Sequence, residues 1–285
     1  MVTFTVAIIV NMCGRFILVQ KLETLEKRFN VTAHFDVPLQ PAYNIGAGRF
    51  AAVVASDNPR ALQLMRFGLT PFWSKTDKYF INARAEGDHN SDNDPAFNGA
   101  KGIIEKPAFR RSIRSRRCLV IVDAFIEGTT KEKLSKPFVV YLRNKVRPFA
   151  LAGIWDEWTH PQTGEIIRSF AIITTVPNAL MQLLPHHRMP VILPQHMEKK
   201  WLDDSLPLTD VTAMLKPLDA SLMNAYPVYP AIKSPTAEGP GLIRPAGPPL
   251  MTETETAMKS YLRRSGMGNP KQHFSDHLPE EGLEV

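Results

Sequence analysis

Short apolar, β-branched runs recur along this chain without the regular strand–helix alternation of a parallel sheet, and that pattern narrows its fold more than any other feature. The runs are Ala51–Ala55, Leu119–Val122, Phe138–Leu142, Phe149–Ile154 and Phe170–Thr174, each bounded by turn residues. Helical spacing is confined to a few segments. Over residues 17–30, Leu18, Leu22, Leu25 and Phe29 fall four, three and four apart, the stripe of an amphipathic helix. Shorter helices are expected at Asn178–Leu184, His196–Leu202 and Thr209–Leu215. Strands outnumber helices, which predicts an α+β domain with a mostly antiparallel sheet. The polar segment Gly87–Gly102 reads as a surface loop. From about Pro235 prolines cluster, periodicity fades and the end turns acidic. Residues 236–285 are therefore expected to form a disordered tail, with a short helix near Thr254–Arg264.

With 285 residues, 44% hydrophobic and 22% charged, the chain can bury a sizeable core. No apolar run approaches the roughly 20 residues needed to span a bilayer. Val2–Val10 is apolar but short, follows no Lys or Arg, and precedes no small-residue cleavage site, so it does not read as a secretory signal. A start assigned too early, or one extra strand, explains residues 1–11 better. The two cysteines, Cys13 and Cys118, form no CxxC pair, which argues against a zinc ribbon or disulfide framework and fits the reducing cytoplasm. The net charge of +6 is uneven: five Lys/Arg against seven Asp/Glu from Thr236 onward leave +8 on residues 1–235. Such a surplus suits a polyanionic partner without requiring one.

Five segments carry side chains suited to chemistry. If translation starts at Met12 in Met12-Cys13-Gly14-Arg15-Phe16, loss of that methionine leaves Cys13 at the N-terminus. Its amine then condenses with an aldehyde to an imine, and its thiol closes a five-membered thiazolidine. Otherwise Cys13 is an ordinary buried cysteine. In Asn82-Ala83-Arg84-Ala85-Glu86, strand alternation puts Asn82, Arg84 and Glu86 on one face, where Arg84 can fork onto a phosphate or simply meet solvent. An apolar strand ends at Asp123, with Glu127 one turn on; each is a general base of raised pKa or a turn-capping acid. Cys118 heads that strand as core. Pro185-His186-His187-Arg188-Met189-Pro190 is a rigid, nitrogen-rich loop, and no HExxH or carboxylate–His spacing marks it as a metal site. The basic run Lys106, Arg110, Arg111, Arg114, Arg116, Arg117 is a solvated face or a polyanion contact. Phe72, Trp73, Tyr79 and Phe80 are core or base-stacking platforms.

In this order, these segments resemble the SRAP (SOS response-associated peptidase) family. The resemblance runs from Met12 to about Pro230, and residues 12–235 are assigned to the domain. It rests on the segments already quoted together with Tyr43-Asn44-Ile45, Phe67-Gly68-Leu69-Thr70-Pro71-Phe72-Trp73, Pro107-Ala108-Phe109-Arg110, Ile173-Thr174-Thr175 and Tyr226-Pro227-Val228. It implies a single α+β domain with a bent, barrel-like sheet and a basic channel for single-stranded DNA. It also implies covalent capture of abasic sites by Cys13, with Asn82 orienting the cysteine and sugar, Glu127 moving protons, and His186 as acid–base partner. Arg15, Arg84, Arg110 and Arg188 would bind phosphates, and Trp73 would lie near the bases. Neither metal nor cofactor is implied, and a cytoplasmic monomer is expected. A thiol autopeptidase cleaving before Cys13 and a noncovalent single-strand binder are the alternatives. The chain departs from the family's Gly-Phe-Tyr-Glu-Trp, with Ala124-Phe125-Ile126-Glu127-Gly128, and has His187 where the family often has Asp.

Overall fold

The computed structural model describes residues 14–253. Met12, Cys13, the leading extension and the helix expected near Thr254–Arg264 lie outside them. The first half contains β1 (Arg15–Leu18), α1 (Leu22–Phe29), β2 (Thr32–Ala33), β3 (Ala42–Gly46), β4 (Phe50–Ala55), β5 (Asn58–Phe67), β6 (Asn82–Arg84) and α2 (Ser112–Ser115). There follow β7 (Arg117–Val122), β8 (Ala124–Thr129), β9 (Lys133–Leu142), β10 (Phe149–Thr159) and β11 (Ile166–Thr175). The remainder is α3 (Ala179–Leu183), β12 (Met189–Pro190), β13 (Ile192–Leu193), α4 (Gln195–Leu202), α5 (Leu208–Ala213) and β14 (Met223–Pro227).

The expected α+β architecture is present. Strands β11, β10, β7, β4 and β5 pair in that order, and β5 returns to β11 through a short parallel ladder, Arg66 beside Ser169 and Phe67 beside Phe170. Five strands therefore close on themselves, and closure removes the exposed edges of an open sheet. Phe67 stacks on Phe170 at 5.2 Å between ring centroids and meets Phe16 edge-on at 5.4 Å, all three fully buried. A second sheet has the order β14-β9-β8-β1-β3.

Asp123 joins the two sheets, between the end of β7 and the start of β8. Its Oδ2 accepts from the backbone N–H of Val19 at 2.6 Å and of Gln20 at 3.2 Å. These are the contacts of the turn-capping reading, while burial raises the Asp123 pKa as the other reading expects. The same contact corrects the first helix. Leu18 belongs to β1 rather than to the helical stripe, because Asp123 ties down the two residues after it and α1 begins only at Leu22. The three shorter helices occur where expected, as α3, α4 and α5. The basic run is not one helical face: α2 spans only Ser112–Ser115, and Arg117 is buried, donating to the carbonyls of Trp201, Ile113 and Asp203.

The expected disordered tail is also corrected, up to Leu250. Asn44, fully buried, donates its amide to the carbonyls of Ser234 at 2.9 Å and Ala237 at 3.0 Å. Leu242 packs into the core cluster around Ile17 and Ile126. Backbone bonds Ala246 N–H to Pro227 O and Leu250 N–H to Ala225 O, each 2.8 Å, continue the attachment along β14. Apolar periodicity misses this segment because backbone hydrogen bonds, not a hydrophobic face, hold most of it.

Phe67→Ala should remove the ring at the closing ladder and cost about 3–5 kcal/mol. Urea unfolding followed by circular dichroism would measure this; a loss under 1 kcal/mol would mean the closure does not depend on that ring.

Candidate functional site

Glu127 lies in β8, and β8 pairs with β1 in antiparallel register, Arg15 opposite Ile126 and Phe16 opposite Phe125. Glu127 is 6% exposed, and so is His186, on the loop after α3. His186 Nδ1 contacts the carbonyl of Gly128 at 2.8 Å. A carbonyl only accepts, so Nδ1 carries the proton, and the neutral ring turns an unprotonated Nε2 outward from that bond. Nε2 stands 3.7 Å from Glu127 Oε1 and has no hydrogen-bond partner among the described residues. Burial lowers the His186 pKa to about 4, with His187 and Arg188 adding to the shift and the Gly128 bond opposing it. The pair is thus a carboxyl and a neutral imidazole with room between them for one proton.

Glycine at 128 is what lets β8 and β9 approach here. A Cβ at Gly128 would lie 1.9 Å from the carbonyl oxygen of Lys133. The aromatic residue usual after the family's glutamate has no space at this position in this backbone.

Asn82 and Arg84 lie on β6, which runs parallel to β11 with Asn82 beside Ile172 and Arg84 beside Thr174, and Arg84 comes close enough to His187 to lower its pKa. Asn82 Oδ1 is buried with no hydrogen-bond partner among the described residues. Arg84 donates to the Asn90 carbonyl and, at 3.1 Å, to Asn93 Oδ1 in the polar loop. Arg188 is fully enclosed. Its Nη2 donates to Glu86 Oε2 at 2.6 Å and to the Thr174 carbonyl at 2.9 Å. Glu86 is itself fully buried and accepts from Thr175 Oγ1 at 3.1 Å. Neither a solvated face for Glu86 nor an open guanidinium for Arg188 is found, because each neutralises the other out of water.

Trp73 and Arg110 form a separate grouping. Trp73 is 47% and Phe72 49% exposed. With Pro107, Arg110 and Arg111 they line an open depression of about 450 Å³. Arg111 lies over the Phe72 ring at 4.4 Å. The loop carrying these rings is held by Arg66, which pairs with Asp77 at 2.7 Å, and by Trp158, whose Nε1–H donates to the Ser74 carbonyl at 2.7 Å. Arg15 is tied elsewhere, to Asn44 Oδ1 at 2.6 Å and the Lys233 carbonyl at 2.9 Å, and partial burial lowers its pKa. The scaffold roles of Asn44 and Glu86 are not assigned from sequence, whose only signal for them is membership of the family-matching segments; Phe72 and Arg111, named there as a stacking candidate and as part of the basic run, are brought beside Trp73. Among the described residues no His, Cys, Asp and Glu cluster is arranged to hold a metal ion.

The family model for SOS response associated peptidase (SRAP) matches residues 12–235. The chain belongs to the SRAP family. It is 34% identical over 239 residues to the abasic site processing protein YoqW of Bacillus subtilis, covering 81% of this chain and 99% of that one. To YoaM of the same organism, also named an abasic site processing protein, it is 35% identical over 231 residues, 79% of this chain and 94% of that one. The chicken protein HMCES, of the same description, is 27% identical over 273 residues, 84% and 78% of the two chains. A crystal structure of a Bacteroides thetaiotaomicron protein superposes with a TM-score of 0.69 at 29% identity, covering 82% of this chain and all of that one. Among the described residues no helix is long and apolar enough to cross a membrane.

Two outcomes test this SRAP site. Glu86→Ala strands Arg188 without its carboxylate and should cost about 3–5 kcal/mol in denaturant unfolding. His186 favours its neutral form when folded, so the unfolded chain binds that proton more tightly. Stability should therefore fall as pH drops from about 6.5 toward about 4, by about 2–3 kcal/mol from this group. His186→Gln should remove that part of the slope; parallel pH profiles for the two proteins would show that His186 is not held neutral.

Proposed function

We propose that this chain captures abasic sites in single-stranded DNA by a covalent bond to Cys13. The observation that most supports this is the strand register. Arg15 pairs opposite Ile126, the residue before Glu127, and Cys13 stands two residues before Arg15 in the sequence. The naming of several relatives as abasic site processing proteins supplies the substrate class.

The chemistry follows from the groups. An abasic deoxyribose opens to an aldehyde. The Cys13 amine attacks its carbonyl carbon, and loss of one water leaves an imine. The thiol then adds across the C=N bond, its proton passing to nitrogen, to close a thiazolidine. Glu127 gives and takes the protons of ring opening and dehydration. His186 Nε2, unprotonated near neutral pH, is the base that accepts the thiol proton. Asn82 offers its partnerless Oδ1 to orient the amine or a sugar hydroxyl. No step requires a metal or cofactor. The amine must be free, so residues 1–12 must be absent from the active form. Cleavage before Cys13, as a peptidase of this family's description would perform, is the alternative use of the same groups and would itself expose the amine.

The depression of Phe72, Trp73, Arg110 and Arg111 suits bases and phosphates of a single strand, since aromatic stacking is indifferent to sequence and arginine tracks the backbone. Arg84, which lowers the pKa of His187, is the phosphate contact on this side of the site. Arg15 is held by Asn44, and Arg188, neutralised by Glu86, is not offered to a phosphate. We take the active species to be a cytoplasmic monomer.

Protein beginning at Cys13 should form a denaturation-resistant band with single-stranded DNA containing one abasic site. Protein retaining Met1–Met12 should not, and Cys13→Ala should abolish the band while leaving salt-sensitive binding. Glu127→Gln should slow capture about a hundredfold. A full-speed band from Cys13→Ala would sink this reading and leave noncovalent binding.

A further inference from the structure

Beside the Glu127–His186 pair is a second depression, of about 280 Å³, lined by Asn93, Pro95, Pro177, Gln182, Pro185 and His187. His186 and Thr130 also line it. We propose that this depression is a nucleobase subsite that reads the base adjacent to the lesion, favouring adenine. The inference rests on the abasic-site reading for its register, and its chemistry is independent of the covalent step.

Three observations carry it. The depression is shallow and its exposed lining is largely apolar, with three prolines beside two imidazoles. The His187 ring is fixed in plane, stacked on His186 at 5.1 Å with 13° between the rings and bonded through Nδ1 to Thr130 Oγ1 at 2.9 Å. A rigid flat ring is what a base stacks against, and the prolines complete the slot.

The polar groups suit a base edge. The Gln182 carboxamide is exposed and makes no hydrogen bond among the described residues. It offers one acceptor and two donors, the pairing that matches adenine, whose N6–H₂ donates while N7 accepts. Asn93 is held by Arg84 through Oδ1, and its Nδ2 makes only a 3.5 Å contact to the Ser91 carbonyl, so a donor remains for the ligand.

The position fixes which nucleotide is read. An abasic nucleotide has no base, so nothing of the lesion itself stacks in a depression lined by His186. The occupant is then the intact neighbour. This slot also gives His187 a purpose that the aspartate frequent in the family cannot serve: an imidazole stacks, and a carboxylate would repel the phosphate beside it.

The test uses protein beginning at Cys13 and single-stranded oligonucleotides with one abasic site, flanked in turn by A, C, G or T on each side. Binding is read by fluorescence anisotropy and capture by denaturing gel. Adenine on one side of the lesion should bind about fivefold more tightly than thymine, with no preference on the other side. Gln182→Ala and His187→Ala should each reduce that ratio below about twofold, and Gln182→Glu, an acceptor-only edge, should shift the preference to cytosine. Equal binding for all flanks, or an adenine preference unchanged in all three variants, overturns the subsite. A flank preference in anisotropy without any gel band keeps the subsite and removes the covalent reading. Gel bands formed at one rate for every flank, with flat binding, do the reverse.

Discussion

The parallel contact between β5 and β11 is two residues long, yet it turns a curved sheet into a closed ring. Its neighbours on β11 show what closure provides. One edge of β11 pairs with β5 at Ser169 and Phe170 and then with β6 at Ile172 to Thr174. The other pairs with β10 as far as Ile172 and then with β12 at Thr174 and Thr175. A single strand therefore sets the positions of Asn82, Arg84 and the residues next to Arg188. The chain between β5 and β6 must leave the ring and come back, and that excursion carries Phe72 and Trp73. Arg66, at the point of departure, holds the excursion by pairing with Asp77 and stacking on Tyr79 at 4.6 Å. The exposed rings are thus displayed from a fixed base.

Electrostatics at the site follow from what this scaffold buries. Glu86 and Arg188 are both removed from water, which costs several kcal/mol per ion and is offset only by good geometry and further hydrogen bonds. Thr174 and Thr175 supply those bonds. Such a pair adds little to stability compared with apolar packing, and its use here is to fix a positive charge beside two histidines. Arg188 lowers the pKa of both, and Arg84 lowers that of His187 further. Burial is the larger cause for each. A neutral imidazole facing a carboxyl is the result, and that is the protonation state in which Nε2 can accept a proton.

Much of this was legible in the sequence, for reasons that particular residues make clear. Val53, Val120, Leu151 and Ile172 announce strands because both sheet faces are buried and favour apolar, mostly β-branched residues. Helix ends were less legible. Leu18 fits the helical stripe by spacing, but the decisive contact comes from Asp123, about a hundred residues away, and no local pattern reports it. Asn44 and the chain from Ser234 to Ala237 fail for the same reason: one buried amide does the work of a hydrophobic face. Glu127 and His186 were both singled out, but their 3.7 Å approach depends on β8 curving at Gly128. The depression beside His187 had no sequence signal, since prolines and amides are also the ordinary composition of loops.

The two cysteines show how placement, rather than residue type, decides reactivity. Cys118 is fully buried, and burial pushes its thiol well above the ordinary range. Its sulfur is packed so closely that a Cβ on Gly153 would lie 2.7 Å from it. The thiolate is the nucleophilic form, so this residue is inert at any physiological pH. With only two cysteines in the chain, any thiol chemistry it performs must come from Cys13. That residue precedes β1, which pairs with β8 with Arg15 opposite Ile126. At a free N-terminus an amine of pKa near 8 would be partly neutral without any burial, so the site need not desolvate its nucleophile to activate it. Under the proposed capture, Glu127 and His186 are then left for the other task, moving protons between an opening sugar and a closing ring.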